Sequence, residues 1–354
     1  MKNKLDTKCA NCGYSLTFSP KDEALKCPQC ENLVFIPNTS AKHKKEYNPQ
    51  SEVQKNTELN GVFECSSCGA KTSVTSGHGN GLCPYCGSSN INELAEAIEY
   101  KPDAIVPFKI TKEEAIANYK KWLKTRKFVP NKLHKNAQLN KIEGTYFPCW
   151  NFDFNANTTY SGVGIEQHTR TRYRTTANGQ RVSYTETYET RHPFSGNRFD
   201  SFNNYIQSAS KQINQYDLEK LGNYGLETLK VYNTAYLVGF LSSSYDVDMH
   251  KSLKDATASA KQDITYRIKR DHSYDDYADL NVKANFNSIM WQYTYLPVYA
   301  CNFQYNKKPY RFLVNGYTGY VCGKVPRSGW KIFGFVMGIL AGIAAIACLV
   351  GMYA

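Results

Sequence analysis

The sequence predicts an α+β protein: two small four-cysteine zinc ribbons, a β-rich core with a few helices, and one C-terminal helix without charge. Three observations predict it. Four Cys-x-x-Cys pairs crowd the first quarter of the chain, tyrosine-rich alternating segments fill the middle, and a single long apolar run closes the end. With 354 residues, two or three folded units plus connectors are expected. Hydrophobic residues make up 42%, but the 27 tyrosines are spread along the chain, which suits polar-rimmed sheet better than many membrane spans.

The pairs are Cys9/Cys12, Cys27/Cys30, Cys65/Cys68 and Cys83/Cys86, so each half reads C-x2-C-x14-C-x2-C and the second repeats the first 56 residues on. Two residues between cysteines let one tight turn aim both sulfurs at one ion, and two such turns complete a closed tetrahedral site. The expected cofactors are two structural Zn²⁺, one per ribbon, with no coordination position left for a catalytic water. Gly13, Gly69 and Gly87 follow the second cysteine of their pairs, where a knuckle asks for positive φ, and Glu31 is the exception. Pro28 and Pro84 stiffen the other turns. Tyr14–Phe18 and Thr72–Thr75 alternate as short strands. Redox-active Cys-x-x-Cys would need one motif opening a helix in a βαβ unit, and four pairs at repeated spacing argue for metal instead. His78 reads as a loop residue, because four cysteines already saturate the ion.

The first residues lack the apolar stretch of roughly 7–15 residues that export uses, so the bulk of the chain is expected in the cytosol, where thiols stay reduced. The formal charge is +12, falling to about +8 when eight thiolates hold two zinc ions. That excess favours an anionic partner, whether nucleic acid, acidic protein or lipid.

The expected domains are ribbon 1 over 1–37, a polar tether over 38–60, ribbon 2 over 61–97, an α+β core over 98–326 and an anchor over 330–353. In the core, Ala104–Phe108 reads as a strand. Thr111-Lys-Glu-Glu114 is a capping box opening a helix to about Lys127, with Ile116, Tyr119 and Leu123 on its apolar face and its lysines on a solvated one. Tyr146-Phe-Pro-Cys-Trp150 is echoed by Tyr295-Leu-Pro-Val-Tyr299, which suggests two related β-rich halves. Cys149, Cys301, Cys322 and Cys348 have no Cys-x-x-Cys partner and read as small buried hydrophobes.

A hairpin spans 168–190 with Asn178-Gly179 as its turn. A two-residue loop pairs Tyr173 with Tyr184 and Thr171 with Glu186, and collects Arg170, Arg172, Arg174 and Arg181 on the other face. Two readings stand for those arginines: a grip on lipid or nucleic-acid phosphates, or a solvated face. Tyr236–Phe240 reads as a buried strand, and 248–270 as a helix through Leu253, Ala256, Ala260, Ile264 and Ile268. Tyr310–Val321 reads as two strands about an Asn315-Gly316 turn, with Cys322 just after.

From Ile332 to Tyr353 no residue is charged, and 22 helical residues span about 33 Å, enough for a hydrocarbon layer of about 30 Å. Lys324, Arg327 and Lys331 precede this transmembrane helix and nothing basic follows, so the expected topology is single-pass in the cell membrane, with the bulk of the chain cytoplasmic. Gly334, Gly338 and Gly342 form a smooth stripe, either for helix–helix packing in an oligomer or as ordinary membrane-helix glycine.

On its paired ribbons, Ile105–Lys109 before a Lys-rich helix, Tyr146–Asp153, Tyr236–Phe240 with Tyr245–Asp248, and Val314–Gly319, the chain resembles the membrane-anchored zinc-ribbon proteins of Gram-positive bacteria. These are labelled transcription factor B-type zinc ribbon or primosomal helicase-like. The resemblance covers nearly the whole chain and implies a place in a membrane-stress module with stomatin/flotillin-type and phage-shock protein A-like partners. The helicase label fails on the residues, because no G-x-x-x-x-G-K-[ST] phosphate loop occurs. The expectation is a noncatalytic adaptor that recruits cytosolic proteins to the inner membrane surface. The alternative is a membrane-associated nucleic-acid-binding protein. An enzyme is not expected, since no G-x-S-x-G, HExxH or nucleotide loop is present.

Overall fold

In a computed structural model, the described residues are 8–37, 39–41, 43–56, 62–67, 69, 71–74, 83, 91–94, 99–131, 133, 142–306 and 308–353. The expectations for Cys68, His78, Pro84, Cys86 and Gly87 lie outside them. The fold is α+β and mostly β. β1 (Thr17–Ser19), β2 (Ala24–Lys26) and β3 (Leu33–Phe35) form an antiparallel sheet of their own. After them come β4 (Lys45–Glu46), β5 (Lys55–Asn56), β6 (Val62–Cys65), β7 (Lys71–Val74), β8 (Ile91–Leu94), β9 (Glu99–Tyr100), β10 (Ala104–Ile105) and α1 (Lys112–Lys124). The second half holds β11 (Glu143–Thr175), β12 (Arg181–Ser208), α2 (Gln215–Lys220), β13 (Lys230–Val231), β14 (Leu241–Ser243), α3 (Met249–His272), β15 (Asp276–Tyr305), β16 (Lys308–Asn315), β17 (Val321–Gly323) and α4 (Gly329–Tyr353).

One large sheet is built around three very long strands. β11 pairs antiparallel with β15 from Glu143↔Ala300 to Ile165↔Asp276, and with β12 from Cys149↔Ser208 out to Thr175↔Arg181. Beyond Ile165 the ribbon is therefore two-stranded, and residues 166–190 make an arm. The two echoed motifs lie against each other, with Tyr146 opposite Pro297, Phe147 opposite Leu296 and Pro148 opposite Tyr295. Their resemblance is a local two-fold pairing at the centre of the sheet. Each proline lacks a donor but uses its carbonyl: Pro148 O accepts from Ala209 N at 3.1 Å, and Pro297 O from Gly316 N at 2.9 Å. Around this centre Tyr146, Trp150, Phe152, Trp291, Tyr293, Tyr295 and Tyr299 are buried in one aromatic core.

Both long core helices start where their caps dictate. Thr111 and Glu114 form the reciprocal capping box of α1, and Asp248 accepts from His250 N and Lys251 N at the head of α3. The buried stripe of α3 includes the predicted Leu253, Ala256, Ala260, Ile264 and Ile268, all on one face. In α1 the buried face is Ala115, Tyr119 and Leu123, with Ile116 half-buried at its rim.

Several expectations are corrected. The 38–60 tether is not free where it is described: Ser40 bridges Lys230, β4 pairs with Met290 and Trp291 of β15, and β5 pairs with β9. Two of its lysines engage the core: Lys45 pairs with Asp103 at 2.7 Å, and Lys44 Nζ reaches Asn151 Oδ1 at 2.9 Å, Asp153 Oδ1 at 2.5 Å and Asn204 Oδ1 at 3.0 Å. The strands of the second cysteine module are not a separate layer either, because β7 pairs with β14 at Leu241↔Val74 through Ser243↔Thr72. The strand expected over Tyr236–Phe240 is not formed: Thr234–Leu237 is a 3-10 turn headed by Asn233, with Ala235, Tyr236 and Leu237 buried, and Gly239 at φ +92° swings Phe240 onto Phe108 at 4.2 Å. A short apolar run does not tell a strand from a buried turn. The Asn315-Gly316 site turns the chain, but the loop runs to Tyr320, Val314 faces Val321, and Cys322 lies inside β17.

Candidate metal centre

The two knuckles of ribbon 1 are built by backbone hydrogen bonds that leave the sulfurs free to converge. Gly13 N donates to Cys9 O at 2.8 Å, and Glu31 N donates to Cys27 O at 2.9 Å. Gly13 has φ +72° and Glu31 φ +59°, so both knuckles use the same left-handed residue and Glu31 adopts it without glycine's freedom. Cys9 Sγ lies 3.5 Å from Cys30 Sγ, and Cys12 Sγ 3.4 Å from Cys27 Sγ. All four sulfurs fall within 4.8 Å of one another. A tetrahedron with metal–sulfur bonds of about 2.3 Å has edges of about 3.8 Å, so the four fit one metal ion.

Knuckle amides also favour thiolate. N–H groups of Cys12 and Asn11 hold Cys9 below the ordinary thiol value. Burial opposes the same effect at Cys27, where N–H groups of Cys30 and Gln29 still bring the thiol down, and Asn32 N–H lowers Cys30. The Tyr14 N–H draws Cys12 down too, but its hydrogen bond to Cys27 and burial outweigh it, pushing the thiol up to about 12.

Ribbon 1 is docked rather than tethered. Phe18 N donates to Val238 O at 2.9 Å, and the Phe18 ring meets Tyr236 at 5.4 Å and Phe240 at 6.3 Å. Leu16, Leu25 and Ile36 join the main core beside it. In the second module Cys65 and Cys83 are buried, and Gly69 at φ +69° donates to Cys65 O at 2.7 Å, matching the first knuckle of ribbon 1. The other two cysteines expected as ligands there, Cys68 and Cys86, are outside the described residues.

The arginine hairpin is rearranged. Its loop is Ala177–Gly179, closed by Gly179 N to Thr176 O at 2.9 Å and Thr176 N to Gln180 O at 2.8 Å, and only Gly179 is left-handed (φ +78°). One extra loop residue slips the register by one, placing Tyr173 opposite Ser183 and Thr171 opposite Thr185. Arg170, Arg172 and Arg174 still share a face, but Arg181 moves to the other one and stacks on Tyr173 at 4.6 Å. Glu186 takes both Arg170 Nε (2.5 Å) and Arg172 Nε (2.9 Å), and these two guanidiniums hold its carboxyl below the usual range. The expected four-arginine patch is three arginines with two of them paired.

A solvent-open cleft of about 540 Å³ lies between β12, α2 and α3. Burial, reinforced by Glu219, raises the Asp263 carboxyl, and burial pushes Tyr205 up to about 12. Glu219 already accepts from Gln215 Nε2 at 2.9 Å. The described lining holds no cysteine, histidine, lysine or arginine; its ionisable and hydroxyl groups are Tyr205, Glu219, Tyr224, Ser259 and Asp263. Two of the lone thiols are disfavoured as thiolates: burial raises Cys149 and brings Cys322 to about 11. Cys301 is buried as expected, whereas Cys348 is exposed on α4. Sequence reasoning missed Lys44, a buried cation among three oxygens, because nothing in a lysine-rich polar run distinguishes one lysine from its neighbours.

Among the described residues, Gly329–Cys348 of α4 is long and apolar enough to cross a membrane, with mean hydropathy 2.1 and none of it buried. At Gly334, Gly338 and Gly342 a Cβ would meet nothing within 4 Å, so the stripe is uncovered.

The chain is similar over 356 residues to the uncharacterized protein YdjG of Bacillus subtilis (strain 168), at 27% identity, spanning 95% of this chain and 94% of that one. No protein-family model matches the chain, and no solved structure does.

Proposed function

We propose that the protein is a noncatalytic, membrane-anchored zinc-ribbon adaptor that gathers cytosolic proteins at the inner surface of the cell membrane during membrane stress. The observation that carries this reading is a closed four-sulfur centre docked on the core of a chain whose last described helix is apolar and uncovered. Four thiolates at tetrahedral spacing suit Zn²⁺, and with every position filled the ion is structural. A second zinc at Cys65, Cys68, Cys83 and Cys86 follows from the repeat and from the matching Gly69 knuckle. Lys324, Arg327 and Lys331 ahead of α4 support a single-pass topology with the core in the cytoplasm. The partners, stomatin/flotillin-type and phage-shock protein A-like proteins, rest on the family resemblance.

Pull-down of the full chain from gently solubilised membranes, with the zinc sites intact, is expected to recover such a partner. Recovery of none overturns the adaptor reading. Nucleic-acid binding is the weaker reading, because Glu186 already engages two of the hairpin arginines. Retention of DNA or RNA that falls steeply with salt decides for it.

A further inference from the structure

Positive charge gathers at the seam where α1 meets α4. Residues 115–142 carry eight Lys and Arg and no Asp or Glu, and residues 280–354 carry seven Lys and Arg and again no acid. The fold brings these two stretches together. Ser328 N donates to Phe128 O at 2.7 Å, and Lys331 Nζ donates to Val129 O at 2.7 Å and Asn131 Oδ1 at 2.8 Å. Phe128, held at φ +62°, sets its ring 5.3 Å from that of Phe335.

Phe335 is the fourth residue of the uncharged stretch that begins at Ile332, about 9 Å along α4 from Gly329 at 1.5 Å per residue. A ring touching it stands at the edge of the hydrocarbon layer. The cations flanking that ring are then at headgroup depth: Lys124, Arg126 and Lys127 on one side, Arg327 on the other, all exposed. Arg126 lies over Trp122 at 4.6 Å, and Trp330 is 85% exposed at the same level, an arrangement suited to a membrane interface.

We infer that residues 124–131 are an interfacial foot, with Phe128 as its apolar wedge and Lys124, Arg126 and Lys127 binding the phosphates of anionic phospholipids around α4. This rests on the reading that α4 crosses the membrane, and deepens it by fixing one end of α1 against the leaflet. The occupant is lipid because the patch is built onto the anchor itself, and because every charge in it is positive where the inner leaflet is negative.

The test inserts the full chain into vesicles of phosphatidylcholine alone and of phosphatidylcholine with phosphatidylglycerol. Flotation reports anchoring, and a membrane-impermeant amine reagent read by peptide mass spectrometry reports lysine access. Lys254 and Lys261, exposed on α3, serve as references within the same molecule. Relative to them, Lys124 and Lys127 are expected to react roughly fivefold or more slowly in anionic than in neutral vesicles, with the difference removed by high salt. The substitution Phe128→Ser is expected to reduce the protection while flotation persists.

Floating protein with equal reactivity in both lipids overturns the foot and leaves the anchor standing. A chain that does not float overturns the anchor and the foot together. Protection conferred by a DNA oligonucleotide on neutral vesicles, and not by phosphatidylglycerol, assigns the patch to nucleic acid and overturns the lipid.

Discussion

Ribbon 1 and the 166–190 arm are both small β units set against the same sheet, and they are held by opposite means. The ribbon has three strands of three residues each, too short to stand alone, and depends on four sulfurs within 4.8 Å and on Phe18, Leu16 and Leu25 entering the core. The arm has long strands but almost nothing beneath them: Tyr173, Val182, Tyr184 and Tyr188 are exposed, and Glu186 meets Arg170 and Arg172 across the ribbon. A cross-link by an ion gives a small unit one geometry. A bare two-stranded ladder is held by its continuation into the three-stranded base.

On the proposed zinc-ribbon reading, removing the metal is the strongest way to break this contrast. Structural zinc contributes on the order of 10–16 kcal/mol to small metal-dependent units, so chelation or Cys27→Ser is expected to unfold ribbon 1. Hydrogen exchange at the Phe18 amide, now bonded to Val238 O, is expected to rise by orders of magnitude while the α3 amides stay protected. Unchanged protection at Phe18 removes the difference between the two units. At the shared base, Trp150→Ala removes a buried ring and its Nε1 hydrogen bond to Val247 O (2.9 Å), and is expected to lower unfolding free energy in urea by about 3–5 kcal/mol. Ala260→Leu overpacks the buried face of α3 against the sheet and is expected to lower it by about 1–3 kcal/mol.

The arm is expected to respond weakly and locally. Gly179→Ala places a Cβ at φ +78° and is expected to loosen the tip by about 1 kcal/mol, seen in exchange at the Thr176 amide with no change in global unfolding. The smallest effect is pH-dependent. Glu186 is depressed by Arg170 and Arg172, so its contribution is present above the ordinary carboxylate range and is lost as pH falls through the lowered value. Because the side chain is exposed, Glu186→Gln is expected to leave thermal unfolding unchanged at neutral pH and to alter only the arm's NMR shifts on acidification.

What was legible in the sequence divides along the same line. Cysteine spacing encodes a three-dimensional constraint directly, so Cys9, Cys12, Cys27 and Cys30 were readable as one centre before any fold was known. Caps and periodicity located α1 and α3 as well, because Thr111 and Asp248 act on backbone donors a few residues away. Register was not legible. Asn178-Gly179 marks a turn without saying whether Asn178 is left-handed, and that single torsion decides which face Arg181 occupies. Contacts across long sequence distances were silent for the same reason: neither Lys44 with Asp153 nor Phe128 with Phe335 has a local pattern. The echoed Tyr-x-Pro motifs were visible, but that they would face each other required the pairing itself.

The ion in ribbon 1 is the claim most directly open to measurement. Zinc measured per molecule of purified full-length protein, beside the Cys27→Ser variant, is predicted to fall by one equivalent from two. A natural chain that carries no zinc, or a variant that keeps the full amount, contradicts it.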